Sequence, residues 1–185
     1  MDTKHDGTPQ RARPERGVTL IELAVVVAIT AIVAAAAVPD FGALLAMRRL
    51  QGAAGSLSAD LQFARSQALA RNRPIRLSVR TNAVASCWIV HTGGAGDCDC
   101  AAADQVVCSA GASAIRSVVL PQVGGVSVAG NVGSIVFDPL HGTSSPTGTL
   151  RVVDSRGRSV RHVVNIVGRV RSCSPAAAVA GYLAC

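Results

Sequence analysis

Residues 16–39 read RGVTLIELAVVVAITAIVAAAAVP, a polar entry into an apolar run that holds one carboxylate, Glu22, near its start. From Val18 to Val38 the run is 21 residues long. That is about 31 Å of helix at roughly 1.5 Å per residue, enough to span a bilayer. A lone acid in such a segment costs about 2.5 to 3.5 kcal/mol at a helix centre on insertion scales. Glu22 therefore either sits at the membrane interface, where the cost is small, or has a partner to neutralise it.

The flanks orient the run. Lys4, Arg11, Arg13 and Arg16 precede it, and positive flanks stay on the cytoplasmic side, leaving everything beyond the run outside. A secretory signal cleaved near the small residues 34–38 is the competing reading. Against it stand the length of the run and its continuation as an amphipathic helix. Pro39 should loosen the helix locally. Beyond it Leu50, Ala54, Leu57, Leu61, Ala64 and Ala68 recur at spacings of three and four, with Arg48, Arg49, Gln51, Asp60, Gln62 and Arg65 mostly off that face. Arg71, Asn72, Arg73 and Pro74 should end it.

The rest reads as strands. In PIRLSVR, Ile75, Leu77 and Val79 alternate with Arg76, Ser78 and Arg80, the period of a strand with one wet face. Residues 87–91, 115–120, 134–137, 149–154 and 159–167 are further candidates, with Gly157 in a tight hairpin between the last two. Asp138, Pro139 and Gly142 form a turn. The apolar content is 49% of the chain but aromatics only 3%, and mean hydropathy is +0.38. Such a composition suits a lipid helix and a small β core rather than a roomy active site.

The segment from Gly17 to Glu22 resembles the prepilin motif of type IV pilins and of the pseudopilins of type II secretion, with Val18 where phenylalanine is commoner. The resemblance implies cleavage after Gly17 by a prepilin peptidase, methylation of Val18, and Glu22 as the acid that meets the new amine of a neighbouring subunit. ARSQALARNRPIRLSV, PLHG and VVNIVGRVRSC are similar to the FimT, FimU and GspH group of minor pilins and pseudopilins. This gives an α+β, pilin-like chain: a leader over 1–17, a transmembrane and assembly helix over 18–38, its amphipathic continuation over 39–73, and a periplasmic β domain over 74–185, packed as an antiparallel sheet against the helix. The implied partners are other pilins or pseudopilins, the peptidase and the inner membrane, crossed once.

Eighteen Lys and Arg against eleven Asp and Glu give a net charge of +7. Arg169 and Arg171, in GRVR, project to one side of an extended segment, and Arg151, Arg156, Arg158 and Arg161 come from the adjacent hairpin against only Asp154. Two guanidiniums on one face match successive phosphates. In FimT-like minor pilins such a motif is associated with DNA capture in natural transformation, so the resemblance makes double-stranded DNA a partner. The competing readings are a GspH-type pseudopilin serving protein secretion without DNA, or arginines that serve solubility and guard sheet edges.

Cys87, Cys98, Cys100, Cys108, Cys173 and Cys185 all follow the apolar run. An even count on the oxidising side reads as disulfides, with fifteen possible pairings. Proximity favours Cys173 with Cys185 and pairs among the other four. A metal site from His91, Cys98, Cys100 and Cys108 is the rival, but C-x-C lacks zinc-knuckle spacing. His91, His141 and His162 are scattered and no nucleophile or phosphate-loop pattern is present. The chain is read as a structural subunit and not an enzyme, with no cofactor and no metal.

Overall fold

The computed structural model describes residues 17–185 apart from 102–104, with the side chains of 36–40 also outside the description. The leader and its basic residues Lys4, Arg11, Arg13 and Arg16 therefore lie outside the described residues. The chain divides into two compact units, Met1–Phe41 and Gly42–Cys185.

One helix, α1 (Leu20–Arg71), contributes to both units. It carries no break at Pro39, so the loosening expected there does not divide it. In the first unit every described residue from Gly17 to Ala35 is exposed. In the second unit Leu50, Ala54, Leu57, Leu61, Ala64 and Ala68 are fully buried, the six positions of the expected apolar face. The helix ends where Asn72 turns left-handed (φ 49°) and Arg73 N–H donates to the Ala68 carbonyl.

Beyond the helix the described residues form eleven strands: β1 (Ile75–Thr81), β2 (Ala85–His91), β3 (Cys98–Cys100), β4 (Val106–Cys108), β5 (Ala114–Pro121), β6 (Val126–Gly130), β7 (Ser134–Phe137), β8 (Ser144–Ser145), β9 (Gly148–Asp154), β10 (Ser159–Val164) and β11 (Val170–Cys173). They form not one sheet but three. A five-stranded sheet runs β5-β2-β1-β7-β8, a four-stranded sheet β11-β10-β9-β6, and β3 and β4 make a ribbon. All strand pairs are antiparallel. The helix face, Trp88, Val90, Phe137, Leu150, Val152 and Val160 share one core.

Several local expectations are corrected. Ser78, placed on a wet face, is fully buried, and β2 is buried on both sides. The cause is a second, smaller cluster of Cys87, Ile89, Cys98 and Cys100 on the side of β2 away from the helix. There Cys98–Cys108 closes the ribbon and Cys87–Cys100 ties it to β2. Ser78 Oγ meets His91 Nε2 at 2.8 Å beneath it. The strand expected over 159–167 stops at Val164, because residues 165–169 turn the chain into β11. Asp60, expected off the apolar face, is only 3% exposed: it accepts from Trp88 Nε1 (2.7 Å) and Arg116 (2.8 Å), fixing the helix to β2 and β5.

Candidate functional site

At the start of α1, Gly17, Val18 and Thr19 precede the first helical residue. Thr19 Oγ1 accepts from the Glu22 backbone N–H at 3.2 Å, so Thr19 is the N-cap and Glu22 the third helical residue. T-x-x-E is the capping-box spacing, a signal legible in TLIE that the reading for lipid passes over. The exposed Glu22 thus stands in the first turn, where the helix dipole favours an anion. Thr30, the other polar side chain of the described run, satisfies its hydroxyl on the Val26 and Val27 carbonyls at 2.9 Å each. The run therefore offers a neighbour apolar surface with Glu22 as its single charge. Among the described residues no helix is long and apolar enough to cross a membrane. The expected span from Val18 to Val38 takes in residues 36–38, whose side chains are outside the description.

The second candidate lies on the outward face of the four-stranded sheet. Arg161 of β10 is directly opposite Arg151 of β9, and Val163 lies between Arg171 of β11 and Thr149 of β9. Arg151, Arg161 and Arg171 are all exposed, and alternation puts them on the same side of the sheet. Ser127, Ala129, Val153, Ser159 and Cys173 also lie on that face by register, and none of them is an acid. Arg169 precedes β11, and with Arg171, Val163 and Asn165 it lines an open cleft of about 460 Å³. Gly168 makes the approach possible: its φ is 73°, and a Cβ there would strike the Gly142 carbonyl and the Arg65 guanidinium. Among the described residues none of these four arginines has an ion-pair partner.

The six arginines are not gathered at one pole. Arg158 is only partly exposed, and its Nε donates to Asp154 Oδ2 at 2.7 Å. Arg156 sits in the β9–β10 turn, at the opposite end of β10 from Asn165 and Arg169. The antiparallel register is the reason: a hairpin turn and the next inter-strand turn fall at opposite ends of the shared strand. The face thus keeps Arg151, Arg161, Arg169 and Arg171.

The six cysteines form Cys87–Cys100, Cys98–Cys108 and Cys173–Cys185. His91 spends its ring nitrogens on Ser78 Oγ and the Thr92 carbonyl, so the rival metal reading has no free donor left. Burial lowers the pKa of His91 and that of His162, the latter to about 4. Asp138 caps the PLHG turn through the Leu140 and His141 N–H groups, which with His141 Nδ1 lower its pKa, the His141 N–H most.

With this geometry in view, the family model for the type II transport protein GspH matches residues 53–168. The chain belongs to that family. The prokaryotic N-terminal methylation motif matches residues 12–38. Two crystal structures of the type IV minor pilin FimU of Pseudomonas aeruginosa (strain PAO1) resemble the GspH-family chain. One is 18% identical and covers 68% of this chain and 97% of its own, and the other is 20% identical and covers 69% and 93%; both have a TM-score of 0.50. At that identity the likeness is one of fold: a long N-terminal helix packed on antiparallel sheet. No curated protein matches the chain. This GspH-family chain is a structural subunit of the minor pilin and pseudopilin kind, with the apolar N-terminal helix through which such subunits are anchored and assembled.

Proposed function

We propose that the chain is made as a single-pass inner-membrane prepilin, trimmed after Gly17 and methylated at Val18, and that after assembly into a type IV pilus or related pseudopilus it holds duplex DNA on the arginine face. The observation that carries the DNA reading is the exposed set Arg151, Arg161, Arg169 and Arg171 without an acid beside it. Residues 105–185 contain seven arginines and two acids, Asp138 and Asp154, and Asp154 is taken by Arg158. With no aromatic on the face, recognition is of phosphate rather than base, independent of sequence and steeply salt-sensitive.

Assembly follows from the first turn of α1. Cleavage would place a positive amine at the helix N-terminus, where the dipole opposes it. Glu22 of a neighbouring subunit, staggered along the filament, neutralises it, and the exposed apolar run packs against its counterparts. Sequencing the mature N-terminus tests this: Val18 at position one supports it, and a start near Pro39 makes the chain a secreted protein with an ordinary signal.

The DNA reading is tested by retention of a 30-base-pair duplex by the full chain in non-ionic detergent at low salt. Retention lost in Arg169→Gln/Arg171→Gln supports it; retention unchanged sinks it. A second reading, a pseudopilin serving protein secretion without DNA, is favoured by the match to the type II transport protein GspH over residues 53–168. It predicts no duplex binding by the unaltered chain.

A further inference from the structure

The outward face of the four-stranded sheet repeats one arrangement twice. In one cleft, about 440 Å³ and open to solvent, Arg151 and Arg161 stand with Asn131 and Thr149. Asn131 Oδ1 accepts the Thr149 N–H at 2.7 Å while its own N–H donates to the Thr149 carbonyl at 3.1 Å. In the other cleft Arg169 and Arg171 stand with Asn165, whose Oδ1 accepts the Arg169 N–H at 2.9 Å while its N–H donates to the Arg169 carbonyl at 3.2 Å. A backbone N–H can only donate, so each carboxamide oxygen is committed and each Asn is left with its NH2 as the free group. Each cleft therefore combines two guanidiniums with one amide donor and has no carboxylate among its lining residues, the first adding the Thr149 hydroxyl, which can donate as well as accept.

The first cleft has a second feature suited to binding an anion. Arg151 and Arg161 are direct cross-strand partners, and like charges so placed repel. A surface kept merely for solubility gains nothing from stacking two cations on one rung. An anion bound between them turns that repulsion into two charge-assisted hydrogen bonds. Arg171 lies across from Val163, two residues along β10 from Arg161, which is about 7 Å at roughly 3.4 Å per residue. The two clefts are thus separate but within reach of neighbouring phosphates on one polymer.

We infer that the clefts at Asn131 and Asn165 are paired phosphate sites, each taking one backbone phosphate of the same duplex between two arginines and the asparagine NH2. This rests on the DNA reading and extends it to Asn131 and Asn165, which position the phosphate and make the Arg151–Arg161 pair an equal partner of GRVR.

The test uses Asn131→Asp and Asn165→Asp in the full chain in detergent. Aspartate keeps the oxygen that accepts the backbone N–H but puts a carboxylate where the NH2 stood, filling the cleft's charge from within. Thermal melts should stay at or above that of the unaltered chain. Each variant should bind the duplex about tenfold more weakly and lower the slope of log affinity against log salt by about 1, the loss of one phosphate contact. The inference is overturned if Asn131→Asp binds the duplex with unchanged affinity and slope while Arg169→Gln/Arg171→Gln does not bind; the DNA reading then survives without it. If the unaltered chain holds no duplex, the DNA reading fails and inorganic pyrophosphate decides the clefts. A melting temperature raised by pyrophosphate in the unaltered chain but not in Asn131→Asp keeps them as phosphate sites, and no rise in either removes them.

Discussion

Arg65 Nε donates to the Gly142 carbonyl at 2.9 Å, joining the helix to the turn between β7 and β8. Gly168 closes against the same carbonyl and the same guanidinium. The Ser144 N–H and Oγ bind the Ile166 and Asn165 carbonyls at 2.9 and 2.6 Å. ARSQAL, PLHG and GRVR, far apart in the chain, thus meet at one point, and that point sets where Arg169 emerges.

The glycine at this junction should be intolerant. Gly168→Ala introduces a Cβ into occupied space at a positive φ, and should cost about 2 to 4 kcal/mol. Gly157→Ala is the control: its φ is 80° but nothing lies within 4 Å of the new atom, so only backbone strain of about 1 kcal/mol remains. Denaturant titration of the full chain in detergent separates the two, and equal losses would deny the steric account.

Asp60 should prove a stability residue. Removing its carboxylate strands a buried indole N–H and the Arg116 guanidinium, which also lies 4.5 Å over the Phe63 ring. Asp60→Ala is expected to lose about 2 to 3 kcal/mol. Arg116, half exposed, can rehydrate when Asp60 is removed, whereas Arg116→Gln leaves the buried Asp60 carboxylate without its cation and should cost at least as much. The same titration, followed by Trp88 fluorescence, measures both.

Acid should weaken the fold through His162. Its Nδ1 meets Ser172 Oγ at 2.8 Å, its Nε2 has no partner among the described residues, and burial lowers its pKa to about 4. Between that value and the 6.5 of the unfolded chain, only the unfolded state takes the proton. Stability is therefore whole above about pH 6.5 and falls as pH drops toward 4, by on the order of 3 kcal/mol for this group. His91, lowered in the same direction by burial, adds to the trend. His162→Gln should flatten the dependence between pH 7.5 and 5 in thermal melts; an unchanged slope would assign it elsewhere.

The C-terminal loop should depend on its disulfide. Cys173–Cys185 closes residues 174–184, which reach the helix through Gln51 Nε2 on the Ala180 carbonyl (2.9 Å) and place Val179 in the core. Cys173→Ser/Cys185→Ser is expected to lose about 3 kcal/mol, the loop-closure value for such a span. Limited proteolysis should then cut within 174–184, where the disulfide-bonded chain resists.

Local periodicity settled the helix and most strands. Six apolar positions at helical spacing can face only one partner, and alternation in 75–80 leaves few other conformations, while 134–137 and 149–154 are legible only as short apolar runs. The prepilin-like motif is likewise contiguous, so its residues could be read together. What periodicity could not show is which strands neighbour one another. The buried Ser78 and the doubly covered β2 depend on the disulfide-bonded ribbon, and the pairing of four cysteines on where β3 falls across β2. The burial of Asp60 depends on Trp88 and Arg116 arriving from other strands.

The arginine face divides the same way. That the C-terminal half is rich in arginine and poor in acid is a property of composition, and GRVR is legible as a local element. Which arginines act together was decided by register. Arg161 stands beside Arg151 because β9 and β10 pair antiparallel about Gly157. The same pairing sends Arg156 to the far end and hands Arg158 to Asp154. Sequence spacing fixes what a strand can present, but only contacts between distant segments fix which charges share a surface.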